Sequence, residues 1–149
     1  MHEAEQVLKS SSGKIQNTLE ILKDCDGLLV RESNDGNIEY KLKLVDVTSS
    51  RFHHLVTQMK FRLGEGNTEA VYIIGVKDNG KLVGIPANEL VLSLQTLRNM
   101  AEGLGATVSL VEEGQGSEGA FAVVHVKQDC PEEGNYADIR VALAGAVDR

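Results

Sequence analysis

The chain has 149 residues, 42% of them hydrophobic, and its 22 acidic and 15 basic side chains give a net charge of −7. This length fits one domain with a substantial core, and the negative charge argues against nucleic-acid binding by the surface as a whole. The two cysteines, Cys25 and Cys130, stand far apart and form no Cys-x-x-Cys motif, which favours free thiols in a reducing cytosol over a disulfide framework or a zinc site.

The first 27 residues are predicted to form an N-terminal helical extension, because their apolar side chains recur at near-helical spacing. Ser-Ser-Ser-Gly at residues 10–13 interrupts this pattern. Over residues 38–44 apolar and polar residues alternate, so the apolar period changes to two, which predicts a half-buried strand. An Asn-Asp-Gly-Asn turn at residues 34–37 connects this strand to a short apolar run at residues 28–30. No apolar run approaches about 18 residues and no signal sequence is recognisable, so no membrane segment is expected.

Two amphipathic helices are predicted, over residues 48–63 and 86–104. In each, apolar residues recur at spacings of three and four and form one stripe. The first helix is expected to begin at Thr48 or Ser49 and to end at Gly64. The further strands are predicted at residues 69–77, 81–85, 107–111 and 120–127, and a Gly-rich acidic loop at residues 112–119 is expected to connect the last two.

The order of these elements predicts an α+β fold. Strands and helices alternate around a hairpin turn at residues 78–81, as in a ferredoxin-like split βαβ sandwich, in which one mainly antiparallel sheet carries two helices on one face. The strand at residues 120–127 would extend this sheet. Residues 28–128 are therefore expected to form one α+β domain, followed by a linker at residues 129–137, where the apolar pattern stops.

The last residues look like the start of a phosphate-binding loop. Residues 138–144 form a strand-like run, and Gly145 with the four residues after it matches the first half of the motif Gly-x-x-x-x-Gly-Lys-Ser/Thr. The Lys and the hydroxyl that hold phosphate and magnesium would come after these residues. This spacing predicts that residues 138–149 are the first strand and a truncated phosphate loop of a following nucleotide-binding domain. The alternative is a surface strand followed by a disordered terminus. We expect this chain not to be an enzyme.

A local basic patch is the main candidate for an interaction surface. The first predicted helix carries the densest basic stretch of an acidic chain, and the preceding strand adds two lysines on its polar face. Such a face suits RNA or an acidic partner, and the same residues also fit ordinary solvated positions. The candidate residues are Lys41, Lys43, Arg51, Lys60 and Arg62.

No catalytic residue and no metal site is predicted. His53 and His54 are adjacent on the first helix, so they point about 100° apart and do not chelate one metal ion together. The Gly-rich residues 64–67 follow a helix and precede a strand, which reverses the order of a phosphate cradle and indicates a turn.

Three parts of the sequence carry a family resemblance. They are residues 55–66 with 69–76, residues 81–85 with Leu-Arg-Asn-Met-Ala-Glu at residues 97–102, and residues 139–148. The first two resemble the domain that precedes the GTPase domain in the GTP-binding protein 1 and 2 family, whose members are relatives of elongation factor 1-alpha. Residues 139–148 are similar to the segment that leads into the phosphate loop of that family, so the resemblance implies that residues 138–149 begin a GTPase domain.

The resemblance implies a parent protein that binds and hydrolyses GTP with Mg²⁺ and acts in translation or on RNA. Gly145 and Asp148 would be its partial nucleotide-binding residues, and the chain itself would hold no cofactor. Its expected partners are its own GTPase domain and RNA, the ribosome or proteins of translation and mRNA decay, in the cytoplasm. Residues 72–85 also resemble the hairpin of schlafen-type Alba-like domains, so the alternative is a nucleic-acid-binding module that is independent of GTP.

Overall fold

The structure, a computed structural model, describes Leu29 and residues 35–129. These residues form four β-strands and two α-helices in one domain. The strands are β1 (Ile38–Lys41), β2 (Glu69–Ile74), β3 (Ala106–Gln115) and β4 (Ala120–Gln128), and the helices are α1 (Ser49–Glu65) and α2 (Ala87–Glu102). The predicted helical extension, linker and phosphate loop lie outside the described residues.

The strands form one mixed sheet in the order β1-β2-β4-β3. β1 and β2 are parallel and joined through α1, whereas β4 is antiparallel to both β2 and β3. The predicted α+β class is confirmed, and the arrangement is consistent with a ferredoxin-like fold. β4 lies inside the sheet rather than extending its edge, because Ala122, Val123 and Val124 are buried on both of its faces.

The predicted strand at residues 81–85 is reduced to two isolated backbone pairs. Gly75 and Gly84 have φ angles of +101° and +81°. The N–H groups of Val83 and Gly84 both donate to the carbonyl of Gly75, at 3.0 and 2.9 Å. The left-handed glycines bend the chain at this point, so a regular ladder does not continue.

Two other strands end at different residues from those predicted. β1 ends at Lys41 because the chain then turns towards α2, where the N–H of Leu44 donates to Oγ of Ser93 at 2.9 Å. β3 continues to Gln115 because a bulge after Leu110 shifts the register and pairing with β4 resumes beyond it. Part of the segment predicted as an acidic loop is therefore strand.

Both helices pack an apolar stripe against the same face of the sheet. α1 begins after Thr48, whose hydroxyl accepts a hydrogen bond from the N–H of Arg51 at 3.1 Å, in agreement with the predicted cap. It ends at Glu65 and is capped by Gly66, beyond the expected Gly64. Neither described helix has the length and hydropathy needed to cross a membrane. The largest side chains of the core on this face are Leu55, Met59, Leu63, Tyr72, Ile74, Leu97 and Met100.

The opposite face of the sheet is also apolar. It carries a second buried cluster that includes Ile38, Tyr40, Val71, Ile73, Phe121 and Val123. Because the central strands β2 and β4 are buried on both faces, they appear in the sequence as nearly continuous apolar runs.

β1 begins and β4 ends at the same end of the sheet, near the start of β2. The carbonyl of Asn37, just before β1, accepts a hydrogen bond from Val71 at 2.9 Å. At the end of β4, the N–H of Gln128 donates to the carbonyl of Thr68 at 2.8 Å. We call this end of the sheet the exit end.

Candidate functional site

Arg62, a member of the predicted basic patch, is buried and has a structural role. Only 5% of the residue is exposed. Its Nε donates to Oε1 of Glu39 at 2.8 Å, and its Nη1 donates to the carbonyls of Gly36 and Asp35 at 2.8 and 3.0 Å. These bonds tie the C-terminal part of α1 to β1 and to the residues before it. The guanidinium of Arg62 is thus used inside the domain, and a contact of Arg62 with RNA or a partner stays a prediction.

Lys41 and Lys43, two of the three lysines of the predicted patch, are also paired with acidic or polar side chains. Nζ of Lys41 lies 3.5 Å from Oε2 of Glu39 and donates to Oε1 of Gln58 at 2.9 Å. Glu39 thus compensates two basic groups at once. Lys43 pairs with Glu89 of α2 at 3.3 Å on the surface. Their positive charges are largely balanced locally, which weakens the attraction that a phosphate backbone needs.

Arg51 and Lys60 are the exposed basic residues of α1. They are nine positions apart, which places them on opposite sides of the helix and about 13 Å apart along its axis. The five predicted residues therefore do not form one continuous basic face. Gly145 and Asp148, the predicted nucleotide-binding residues, lie outside the described residues.

The exposed face of α1 is polar and nearly uncharged around His53 and His54. Both histidines are exposed and lie near Ser49, Ser50 and Thr57. Within residues 35–129, no three His, Cys, Asp or Glu side chains come together in a way that could hold a metal ion.

A cluster of charged side chains at the exit end was not predicted from the sequence. Oε1 of Glu69 on β2 lies 2.9 Å from Nε2 of His125 on β4, and its Oε2 accepts a hydrogen bond from Nζ of Lys127 at 3.2 Å. Burial raises the pKa of Glu69, but hydrogen bonds and charge from His125 and Lys127 outweigh burial and hold its pKa below the usual value. The cluster therefore keeps an ionised carboxylate between two basic groups and joins β2 to β4.

An open groove lies between α2 and the far end of the β3–β4 hairpin. Its volume is about 400 Å³. Leu90, Val91 and Leu94 line it from α2, and Glu113 and Ala120 line it from the hairpin. Sequence analysis missed this groove because it assigned residues 112–119 to a loop. The alternation of apolar and polar residues does not continue through the bulge, so the sequence carries little signal for the extended strand.

Comparison with known proteins shows sequence similarity between this chain and GTP-binding proteins. It is 49% identical over 121 residues, or 78% of its length, to GTP-binding protein 2 of Mus musculus and of Homo sapiens. The chain is homologous to GTP-binding proteins 1 and 2. GTP-binding protein 1 of Xenopus laevis is 29% identical over 128 residues, which is 84% of the chain. Because the alignment covers 78% of the chain, it includes most or all of residues 35–129, which form the described domain.

The match covers only part of each of these proteins. The chain spans about 20% of the length of GTP-binding protein 2 and 19% of that of GTP-binding protein 1. A viral protein, the uncharacterized protein R625 of Acanthamoeba polyphaga mimivirus, is 28% identical over 78 residues, with 52% of the chain and 42% of that protein covered. No family model and no solved structure matches the chain.

Proposed function

We propose that this chain is the N-terminal accessory domain of a GTP-binding protein related to GTP-binding proteins 1 and 2. The observation that supports this most strongly is the 49% identity to GTP-binding protein 2 over 121 residues, combined with a span of only 20% of that protein. The similarity thus concerns one part of a much longer protein. The described domain supplies a stable α+β scaffold with no catalytic arrangement among its residues, which suits a binding module.

The parent protein in this proposal binds and hydrolyses GTP with Mg²⁺ in the cytoplasm. Gly145 and Asp148 would belong to the first half of its phosphate loop, and the Lys and Ser/Thr that follow in the motif would hold the β- and γ-phosphates and the metal ion. The accessory domain would position the GTPase domain or contact the ribosome, RNA or proteins of translation and mRNA decay. Within this chain, no step of GTP chemistry is assigned to a described residue.

Isothermal titration calorimetry with GTP and Mg²⁺ tests whether this chain binds nucleotide without the rest of the proposed phosphate loop. The 149-residue chain is expected to give no saturable heat at micromolar concentration, because it lacks the second half of the phosphate-loop motif. A longer protein that continues through Gly-Lys-Ser/Thr is expected to bind saturably. Saturable micromolar binding by the 149-residue chain alone would contradict the proposal.

Direct RNA binding by this domain is the alternative, and the geometry favours it less. Arg62 is buried, Lys41 and Lys43 are paired with acidic side chains, and the remaining exposed cations of α1 lie on opposite sides of the helix. A positively charged groove or stripe is what single-stranded nucleic acid requires. We therefore favour a protein partner over RNA for the described domain.

A further inference from the structure

The outer edge of β3 is unusual for a free strand of a soluble domain. β3 is the last strand of the sheet order β1-β2-β4-β3, so within the described residues no strand pairs with its outer side. Its ten residues present about 33 Å of edge backbone. Soluble proteins usually protect such an edge with charges, proline or a bulge, because unpaired N–H and C=O groups attract another strand.

The first half of this edge carries none of these protections. Residues 106–110, Ala-Thr-Val-Ser-Leu, contain no charge and no proline, and the bulge comes only after Leu110. Leu110 pairs with Val124 and therefore lies on the same face of the sheet as the helices, yet 48% of it remains exposed. An exposed leucine beside an open edge is a feature of surfaces that accept an added strand.

The groove described above lies beside the last three residues of β3, residues 113–115. Leu90, Leu94 and Ala120 form its apolar lining, and Val91, which is 65% exposed, stands at its mouth. A strand added to β3 would point alternate side chains to the helical face of the sheet, and those side chains would enter the space between α2 and β3. The backbone would provide hydrogen bonds and the groove would select apolar side chains.

The charges near the edge indicate which other side chains the added strand carries. From residue 99 to residue 126 the chain has no Lys or Arg, whereas Glu112, Glu113 and Glu118 lie in β3 and the adjoining turn. Glu113 is exposed and lines the groove. Oε1 of Glu112 is shielded from solvent, and no hydrogen bond to it is made by the described part of the chain. Glu112 pairs with Val123 and so lies on the face opposite the helices, whereas Glu113 pairs with Ala122 and lies on the groove side. Basic side chains on the non-helical face of the incoming strand would therefore compensate Glu112.

We propose that β3 and the groove beside α2 bind an extended segment of a partner protein in which apolar and basic residues alternate. The segment adds a fifth strand to the outer edge of β3. Its apolar side chains enter the groove on the helical face, and its basic side chains lie on the opposite face and pair with Glu112. This assigns a surface to the partner-binding role proposed above. It does not depend on GTP, so its test and the nucleotide titration can fail independently.

The probe is a fluorescein-labelled ten-residue peptide of alternating valine and lysine, titrated against the 149-residue chain and followed by fluorescence anisotropy. Saturable binding is expected in the micromolar range. Hydrogen exchange measured by NMR is expected to slow at outward-facing amides of β3 when the peptide is added, because these amides gain hydrogen bonds. A matching peptide of alternating valine and glutamate is expected to bind at least tenfold more weakly, since it would face the same carboxylate.

Two pairs of variants distinguish binding at this surface from nonspecific binding. Val91→Asp is expected to weaken binding by about tenfold or more because it places a charge at the mouth of the apolar groove. Leu92→Asp is the matched control, since Leu92 is 52% exposed and points about 100° away on the same helix. Glu112→Lys is expected to weaken binding, because Glu112 lies on the face that carries the basic side chains of the added strand. Glu102→Lys makes the same change in net charge at the far end of α2 and is expected to have little effect.

Three results would overturn the proposal. One is the absence of saturable binding, and another is an equal loss of binding in Val91→Asp and Leu92→Asp. The third is slow exchange of the β3 edge amides in the free chain. Slow exchange independent of protein concentration would show that another segment of the same chain holds this edge, and slow exchange that grows with concentration would show that a second copy does.

Discussion

Replacing Arg62 with methionine is predicted to destabilise the domain by about 3–5 kcal/mol, the range measured when one partner of a buried ion pair is removed. Arg62 and Glu39 each have side chains only 6% exposed, and their atoms lie 2.8 Å apart. The variant leaves the carboxylate of Glu39 buried, and among the described residues Lys41 is its remaining basic partner, at 3.5 Å. It also removes the donor to the carbonyls of Gly36 and Asp35. Because Lys41 partly compensates the carboxylate, the lower part of the range is expected.

The assay is urea denaturation of the full chain followed by circular dichroism, with the midpoint and slope compared with those of the unmodified chain. Lys60→Met is the control, because Lys60 is exposed on the same helix and its loss is expected to cost less than about 0.5 kcal/mol. The double variant Glu39→Met, Arg62→Met is expected to be more stable than Arg62→Met alone, since it removes the uncompensated charge. A loss below about 1 kcal/mol for Arg62→Met, or no recovery in the double variant, would refute the reasoning.

Three further predictions concern other parts of the domain. The lowered pKa of Glu69 means that its stabilising effect is present above the unfolded-state value, near 4.5, and is lost as the pH falls through the lower folded-state value. Glu69→Gln is therefore expected to show a shallower loss of stability below pH 4.5 in urea melts, and an unchanged pH profile would contradict this. Gly66→Ala is expected to cost about 1–3 kcal/mol in thermal or urea unfolding, because the added Cβ would collide with the carbonyl of Glu69 and no flexible side chain can yield there; a neutral effect would show that this turn relaxes. The double variant Arg51→Glu, Lys60→Glu is expected to leave RNA retention in a filter-binding assay unchanged, whereas a clear loss would favour the RNA-binding alternative.

Sequence analysis located both helices and most strands, because their apolar spacing is strong and local. It assigned Arg62 to a basic surface patch, although the spacing of the apolar residues in α1 already indicated that Arg62 is buried. Arg62 lies three positions after Met59 and seven after Leu55, so it falls on the buried stripe of α1. Basic side chains are rarely buried, and only a partner on another strand makes such a position favourable. That partner, Glu39, is distant in sequence, and nothing local identifies it.

The remaining misses have the same physical origin, since they depend on contacts between distant segments. The cluster of Glu69, His125 and Lys127 forms only when β4 pairs with β2, and the sequence suggested that β4 would lie at the edge. The groove beside α2 depends on the bulge after Leu110, which lets β3 extend to Gln115. Strand order and bulges are set by packing over the whole sheet, so alternation within one strand does not predict them.

Sequencing the transcript beyond the codon for Arg149 tests the central proposal most directly. The account predicts Gly-Lys-Ser or Gly-Lys-Thr as the next three residues, because Gly145 and the four residues after it match the first half of the phosphate-loop motif. That result would identify residues 138–149 as the start of a GTPase domain. A stop codon, or a continuation without this motif, would contradict the proposal that this domain precedes a GTPase.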